Sequence, residues 1–300
     1  MAEVIGIDLG GTKIKFGRFT QQGICQENIT LATPQPATPK KVLGVLLQGI
    51  NQIDPKHQTL AIGVGYPGPA DKTGKIARIA INLSNWHDVP LANWLETATG
   101  IPTILENDAN CAGIGEAWLG ASKNYQDSIL LTLGTGVGGA IILQGKLFTG
   151  RHGTAGELGL TTLNPHGPAC NSGNQGSLEQ YASIRAIRRQ TGKEPQKLGE
   201  LAAAGDETAL VFWQEYGKLL GAGLASLIYV LTPEAVIIGG GISASAKFFL
   251  PAVKAEIERR VLFTCRHNLQ ILTAKLGNNA GMVGAAKLAW AIVKLERAIG

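Results

Sequence analysis

The chain has 300 residues, 45% hydrophobic and 16% charged, a composition that excludes disorder and gives room for about two domains. A net charge of +5 suits an anionic ligand, but the basic residues are scattered and offer no basic run to a nucleic acid. Cys25, Cys111, Cys170 and Cys265 lie far apart with no CxxC pair, as in a reduced cytoplasmic protein rather than a disulfide scaffold, and neither a signal peptide nor an uncharged run of membrane-spanning length is present.

Val4-Ile5-Gly6-Ile7-Asp8 reads as a strand and Lys13 to Phe19 as its return. Between them Leu9-Gly10-Gly11-Thr12 makes a tight turn whose backbone N–H groups can face phosphate oxygens. Asp8 ends the strand beside that tip, where a carboxylate can hold a water of a bound Mg²⁺. Lys13 can reach a phosphate as a point charge. An ordinary glycine hairpin is the plain alternative, and no Walker A sequence is present.

Pro34 to Pro39 reads as a linker, Lys40 to Ile53 as a helix and Thr59 to Tyr66 as an apolar strand running into the rigid turn Pro67 to Asp71. The polar stretch Asn82-Leu83-Ser84-Asn85-Trp86 is either a sugar-facing segment, with Asn82 a candidate contact, or a loop. Leu91 to Thr99 is a short helix, and Pro102 to Leu105 a strand. Then comes Glu106-Asn107-Asp108-Ala109-Asn110, ahead of a helical segment from Cys111 to Leu119. Asp108 thus stands at a strand-to-helix turn, where α/β proteins place their chemistry. It is equally well placed to be a helix N-cap.

Ser128 to Leu133, Gly134-Thr135-Gly136-Val137-Gly138-Gly139 and Ala140 to Leu143 repeat the strand, glycine turn, strand design of the opening. Two such hairpins predict an internal duplication. Thr154 to Gly159 contains Glu157, the loop from Asn164 to Gly176 is rich in Pro, Gly and Asn, and Ser177 to Arg189 reads as one helix with Glu179 in its first turn. Glu207 to Leu231 is a helical stretch expected to break near Gly221 and Gly223. Glu234 to Ile238 is a strand ending in a third glycine turn, Gly239-Gly240-Gly241, before a helix. Asn268 to Leu276 is a strand, and Asn279 to Ile299 a helix long enough to return to the first half. Strands alternating with helices indicate an α/β architecture.

Asp8 to Lys13, Glu106 to Asn110, Leu133 to Gly139 and Gly156-Glu157-Leu158-Gly159, in that order, resemble the ROK family (repressors, open reading frames, kinases) of the actin-like ATPase superfamily, within it the bacterial glucokinase group. The resemblance covers essentially the whole chain. It implies two ribonuclease-H-like α/β domains with a cleft between them, here expected as 1–108 plus 282–300 and 109–281. It implies that Asp108 is the catalytic base, that Asn107, Glu157 and Glu179 bind the sugar, and that Gly10 to Lys13 and Gly134, Thr135, Gly136 and Gly138 are the phosphate loops. Gly239, Gly240 and Gly241 match the nucleotide-side turn. The implied activity is ATP-dependent, Mg²⁺-assisted phosphorylation of a hexose at its 6-hydroxyl, by a cytoplasmic homodimer with no nucleic-acid or membrane partner. Glucose is the first expectation; another hexose, an N-acetylhexosamine, or polyphosphate as donor are the alternatives. A sugar-sensing repressor would need a DNA-binding segment ahead of the first hairpin, which here opens at Val4. Family members also carry a structural zinc, bound by a His after Glu-Leu-Gly and three Cys in a CxCGxxGC loop. Here those positions are Leu160, Cys170, Ser172 and Ser177. One thiolate does not hold a tetrahedral zinc, so no structural zinc is expected, and His152 and His166 are the nearest substitute ligands.

Overall fold

The computed structural model describes residues 2–80 and 83–299. The chain forms two compact units: Met1–Lys123 with Leu147–Ala155 and Asn278–Gly300, and Asn124–Lys146 with Gly156–Gly277.

The first unit begins with the antiparallel pair β1 (Glu3–Leu9) and β2 (Lys13–Thr20), and β3 (Cys25–Ala32) extends it at the edge. Helix α1 (Pro39–Ile53) leads to β4 (Ile62–Tyr66), a small hairpin of β5 (Ala77–Ile79) and β6 (His87–Val89), α2 (Leu91–Thr99), β7 (Thr103–Asn107) and α3 (Asp108–Trp118). The sheet order is β3-β2-β1-β4-β7, with β4 parallel to β1 and β7 parallel to β4. Strand β4 is buried at every position, as expected for a parallel strand covered on both faces. The edge strand β3 is mostly exposed, and its apolar alternation is confined to Ile29 and Leu31, too short to announce it.

The second unit opens with β8 (Ser128–Leu133) and β9 (Val137–Leu143), an antiparallel pair edged by β10 (Lys146–Leu147). Four helices follow: α4 (Glu179–Ala182), α5 (Ile184–Thr191), α6 (Pro195–Ala203) and α7 (Glu207–Leu231). Then come β11 (Ala235–Gly239), α8 (Ala246–Arg260), α9 (Phe263–Arg266) and β12 (Gln270–Thr273). The sheet order is β10-β9-β8-β11-β12, with β11 parallel to β8 and β12. This is the arrangement of the first sheet again: a hairpin, an edge strand beyond it, and two parallel strands on the other side. The repeat read from the two glycine hairpins therefore extends to the sheets.

Two local expectations fail. Helix α7 runs unbroken, because its glycines are packing sites: a Cβ at Gly221 would lie 2.8 Å from the Glu256 side chain of α8. Conversely, the single helix expected from Ser177 to Arg189 is two, divided at Ser183. That residue is extended (φ −90°, ψ 164°), and its hydroxyl accepts from Ala186 N–H at 3.1 Å as the cap of α5.

The chain closes with α10 (Ala280–Ile299), which returns to the first unit and packs on β1, β4 and α3. The approach is close: a Cβ on Gly63 of β4 would overlap the Ala285 carbonyl, and one on Gly284 the Cys111 carbonyl. Helix α3 stays with this unit through the same contact. The division expected from the sequence, after residue 108, instead assigned it to the second.

Candidate active site

Asp108 is the first residue of α3, directly after β7. The cap is not Asp108 but Asn107, whose Oδ1 accepts from Ala109 N–H at 2.9 Å and Asn110 N–H at 3.1 Å. The cap is thus mainly the neighbour, and Asp108 shares only the Ala109 amide with it, its Oδ1 accepting at 2.8 Å. The Asn107 amide nitrogen lies 3.5 Å from the Gly68 carbonyl. Glu106, a residue given no role from sequence, ties the turn together. Its Oε1 accepts from Asn107 N–H at 2.7 Å and from Asn110 Nδ2 at 2.9 Å. Burial raises its pKa against those two hydrogen bonds.

Asp8, Gly65 and Glu106 occupy one row across β1, β4 and β7, so the α-carbons of the two acids stand about 10 Å apart at ordinary strand spacing. All lie at the carboxyl end of the parallel strands, and Asp108 is two residues beyond. The field of this corner registers on the buried Cys111 thiol. Its pKa is pushed well up by burial and then by the charges of Glu106, Asp8 and Asp108. Asp8 itself is raised by burial, opposed by an ion pair with Lys15 at 3.2 Å.

The first hairpin turn has its carbonyls tied down. Thr33 Oγ1 donates to Gly10 O at 2.6 Å, Gln35 Nε2 to Gly11 O at 3.3 Å, and Thr33 N–H to Thr12 O at 3.0 Å. In a planar trans peptide the following N–H points the opposite way. The amides of Gly11, Thr12 and Lys13 are therefore turned away from the Thr33 segment, as an anion-binding turn requires. Thr33 and Gln35 were invisible to local pattern reading, being more than twenty positions away. Lys13 is the exposed first residue of β2. Gly11 has open space for a Cβ and no left-handed φ, so neither packing nor backbone geometry requires its smallness. Gly11→Val is expected to leave thermal stability unchanged and to abolish nucleotide binding in calorimetry; retained nucleotide affinity would reduce the turn to a plain hairpin.

In the second unit the turn between β8 and β9 is Gly134-Thr135-Gly136; Gly138 lies within β9, paired with Thr132. The Gly134 carbonyl accepts from Ile184 N–H at 2.8 Å, which turns the Thr135 amide outward. Gly239 ends β11 and also pairs with Thr132. Gly240 sits at φ +82°, where a Cβ would overlap Leu133 backbone. This close approach sets the third glycine turn against the end of β8, beside the second hairpin, with Gly241 opening the 3₁₀ turn that follows.

Glu179 opens α4 and reaches this same turn, its Oε2 accepting from Val137 N–H at 2.9 Å. Glu157 precedes the 3₁₀ turn Leu158–Leu160. Its pKa is raised by partial burial of the carboxyl and then by the like charge of Glu179. The two acids thus share one electrostatic neighbourhood. Asn82 lies outside the described residues.

The loop corresponding to the family's zinc site offers one thiol and two hydroxyls. Ser172 Oγ donates to Cys170 Sγ at 3.3 Å, and Ser177 is fully buried. Leu160 supplies no donor atom from its side chain. His152 and His166 are exposed, and among the described residues no three His, Cys, Asp or Glu side chains are grouped to hold a metal. Neutral hydroxyls are poor zinc ligands beside thiolates, so this donor set does not fit the metal.

The ROK family profile matches residues 4–292. A glucokinase of Thermotoga maritima is 32% identical over 306 residues, covering 95% of this chain and 96% of that protein. The crystal structure of a ROK family glucokinase from Streptomyces griseus in complex with glucose and AMPPNP is 35% identical, with a TM-score of 0.82 over 97% of this chain and all of the other. A ROK hexokinase from Thermus thermophilus is 34% identical, with a TM-score of 0.85 over 97% of this chain and 99% of the other. The chain belongs to the ROK family and has the α/β, actin-like ATPase fold of its sugar kinases.

Proposed function

We propose that this protein is a glucokinase, transferring the γ-phosphoryl group of ATP to the 6-hydroxyl of glucose. The observation that carries the reading is the Asp108 turn: a carboxylate at the carboxyl end of β7, beside the helix cap Asn107 and in a turn braced through Glu106. The likeness to curated glucokinases over nearly the full length supports the substrate and the donor.

In this reaction the sugar O6 attacks the γ-phosphorus, an O6–P bond forms, the bond to the β-phosphate oxygen breaks, and ADP leaves. Asp108 takes the O6 proton as the bond forms. Asn107 Nδ2, Glu157 and Glu179 bind the other sugar hydroxyls and orient O6. The outward amides of Gly11, Thr12 and Thr135 donate to phosphate oxygens, whose charge is what phosphoryl transfer most needs stabilised. Asp8 is a hard oxygen donor at the hairpin, and its burial beside a single lysine fits a place for a water of Mg²⁺. When bound, that ion neutralises phosphate charge. A kinase of this kind works in the cytoplasm, and no helix among the described residues is long and apolar enough to cross a membrane.

Leu160, where the family pattern has a sugar-contacting His, favours a second reading in which another hexose or an N-acetylhexosamine is preferred. A coupled ADP-release assay over a sugar panel, with ATP and with polyphosphate, separates them. The expected result is the highest kcat/KM for glucose with ATP. Turnover confined to polyphosphate, or to a sugar other than glucose, would overturn the assignment.

A further inference from the structure

We propose that Asn174 is a positioning residue that clamps the Asn164–Ser177 loop onto the Leu158–Thr162 turn through its one side-chain amide. The inference rests on the reading of Glu157 and Glu179 as the sugar carboxylates.

Asn174 stands inside the loop that carries Cys170, Ser172 and Ser177. Its Nδ2 donates to the Leu160 carbonyl at 2.8 Å and to Thr162 Oγ1 at 3.1 Å. Its Oδ1 accepts from Gln175 N–H at 2.7 Å and lies 3.3 Å from the Thr162 hydroxyl. One side chain thus uses both ends of its amide to join two segments that the chain separates by twelve residues. The backbone completes the joint. Cys170 N–H donates to Asn174 O at 2.8 Å, Leu163 N–H to Gly176 O at 2.8 Å, and Leu178 N–H to Thr161 O at 2.8 Å.

The clamp lies between the two carboxylates along the chain. Glu157 immediately precedes the turn whose last carbonyl Asn174 holds, and Glu179 begins two residues after Ser177. Loosening the joint therefore frees both acids at once. An amide is required. Aspartate has the same shape but no donor, so Asn174→Asp would leave the Leu160 carbonyl without its partner and set a carboxylate against it. Losing a hydrogen bond at such a site and stranding its acceptor costs enough to shift binding about tenfold.

The test uses the full-length protein in three arms. Asn174→Asp is expected to raise the glucose KM about tenfold, leaving the kcat and the ATP KM near wild type, with faster amide exchange confined to residues 160–178. Wild type treated with a chelator and then given excess Mg²⁺ should show unchanged exchange in that segment. If Asn174→Asp does not fold, Thr162→Val removes one leg of the clamp and should show a smaller change of the same kind. Unchanged exchange in the folded variants, or loosening of the wild-type loop by the chelator, would overturn the proposal. Exchange is read without substrate, so it tests the clamp even if glucose is not the sugar. Faster exchange with unchanged sugar affinity would instead break the link to the two acids.

Discussion

Asp108→Asn is expected to lower kcat by about 10²–10⁴, the usual contribution of a general base, while changing glucose affinity far less. The helix survives the change because its cap is Asn107, and an asparagine Oδ1 can still accept from Ala109 N–H as the Asp108 Oδ1 does at 2.8 Å. The brace through Glu106 does not involve the Asp108 side chain. What the change removes is the carboxylate proposed to receive the O6 proton. Steady-state kinetics on the variant, with unchanged far-ultraviolet circular dichroism and melting temperature, makes the comparison. A wild-type kcat in the variant would remove Asp108 from the mechanism.

Gly136→Val is expected to weaken sugar and nucleotide binding together. A Cβ at this position would overlap Oε2 of Glu179 and lie 3.2 Å from its Cδ. A carboxylate at the end of a flexible side chain can move aside, so the fold should survive. Moving it breaks the 2.9 Å hydrogen bond from Val137 N–H, and a hydrogen bond to a charged group contributes about 1.5–3 kcal/mol, roughly ten- to a hundredfold in affinity. Glucose binding measured by calorimetry without nucleotide should therefore fall by about that factor. The same measurement on Gly11→Val should give wild-type glucose affinity, since nothing lies within 4 Å of that position. Unchanged glucose affinity in Gly136→Val would show that Glu179 holds the turn without serving the sugar.

The sequence and the structure agree where local chemistry decides. The two hairpins follow from a glycine turn between apolar runs, and the Asp108 turn from an apolar strand meeting a helix. The duplication was visible in those turns because each sheet is built outward from its hairpin. What local pattern could not reach is set by partners far along the chain. Thr33 and Gln35 orient the first turn from just beyond the end of β3. Glu106 looked like one more polar residue of the turn until its carboxylate was seen bonded to both ends of it. Gly221 reads as a helix breaker in isolation, but packing against α8 makes its small size useful within a continuous helix. Gly138, grouped with the second turn by its place in the glycine run, is a strand residue paired with Thr132. That Leu160, Ser172 and Ser177 offer neither thiolate nor imidazole was plain in the sequence; that Asn174 bridges the same loop was not, because an asparagine among glycines reads simply as a turn residue.

The most direct measurement of the central claim is nuclear magnetic resonance of the products formed from ATP and ¹³C-glucose with Mg²⁺. Wild type should give ADP and glucose 6-phosphate in equal amounts, with the phosphorus coupled to carbon 6, and Asp108→Asn under the same conditions should give almost none. Phosphate on another hydroxyl, release of free phosphate without a sugar phosphate, or full product from Asp108→Asn would contradict the account.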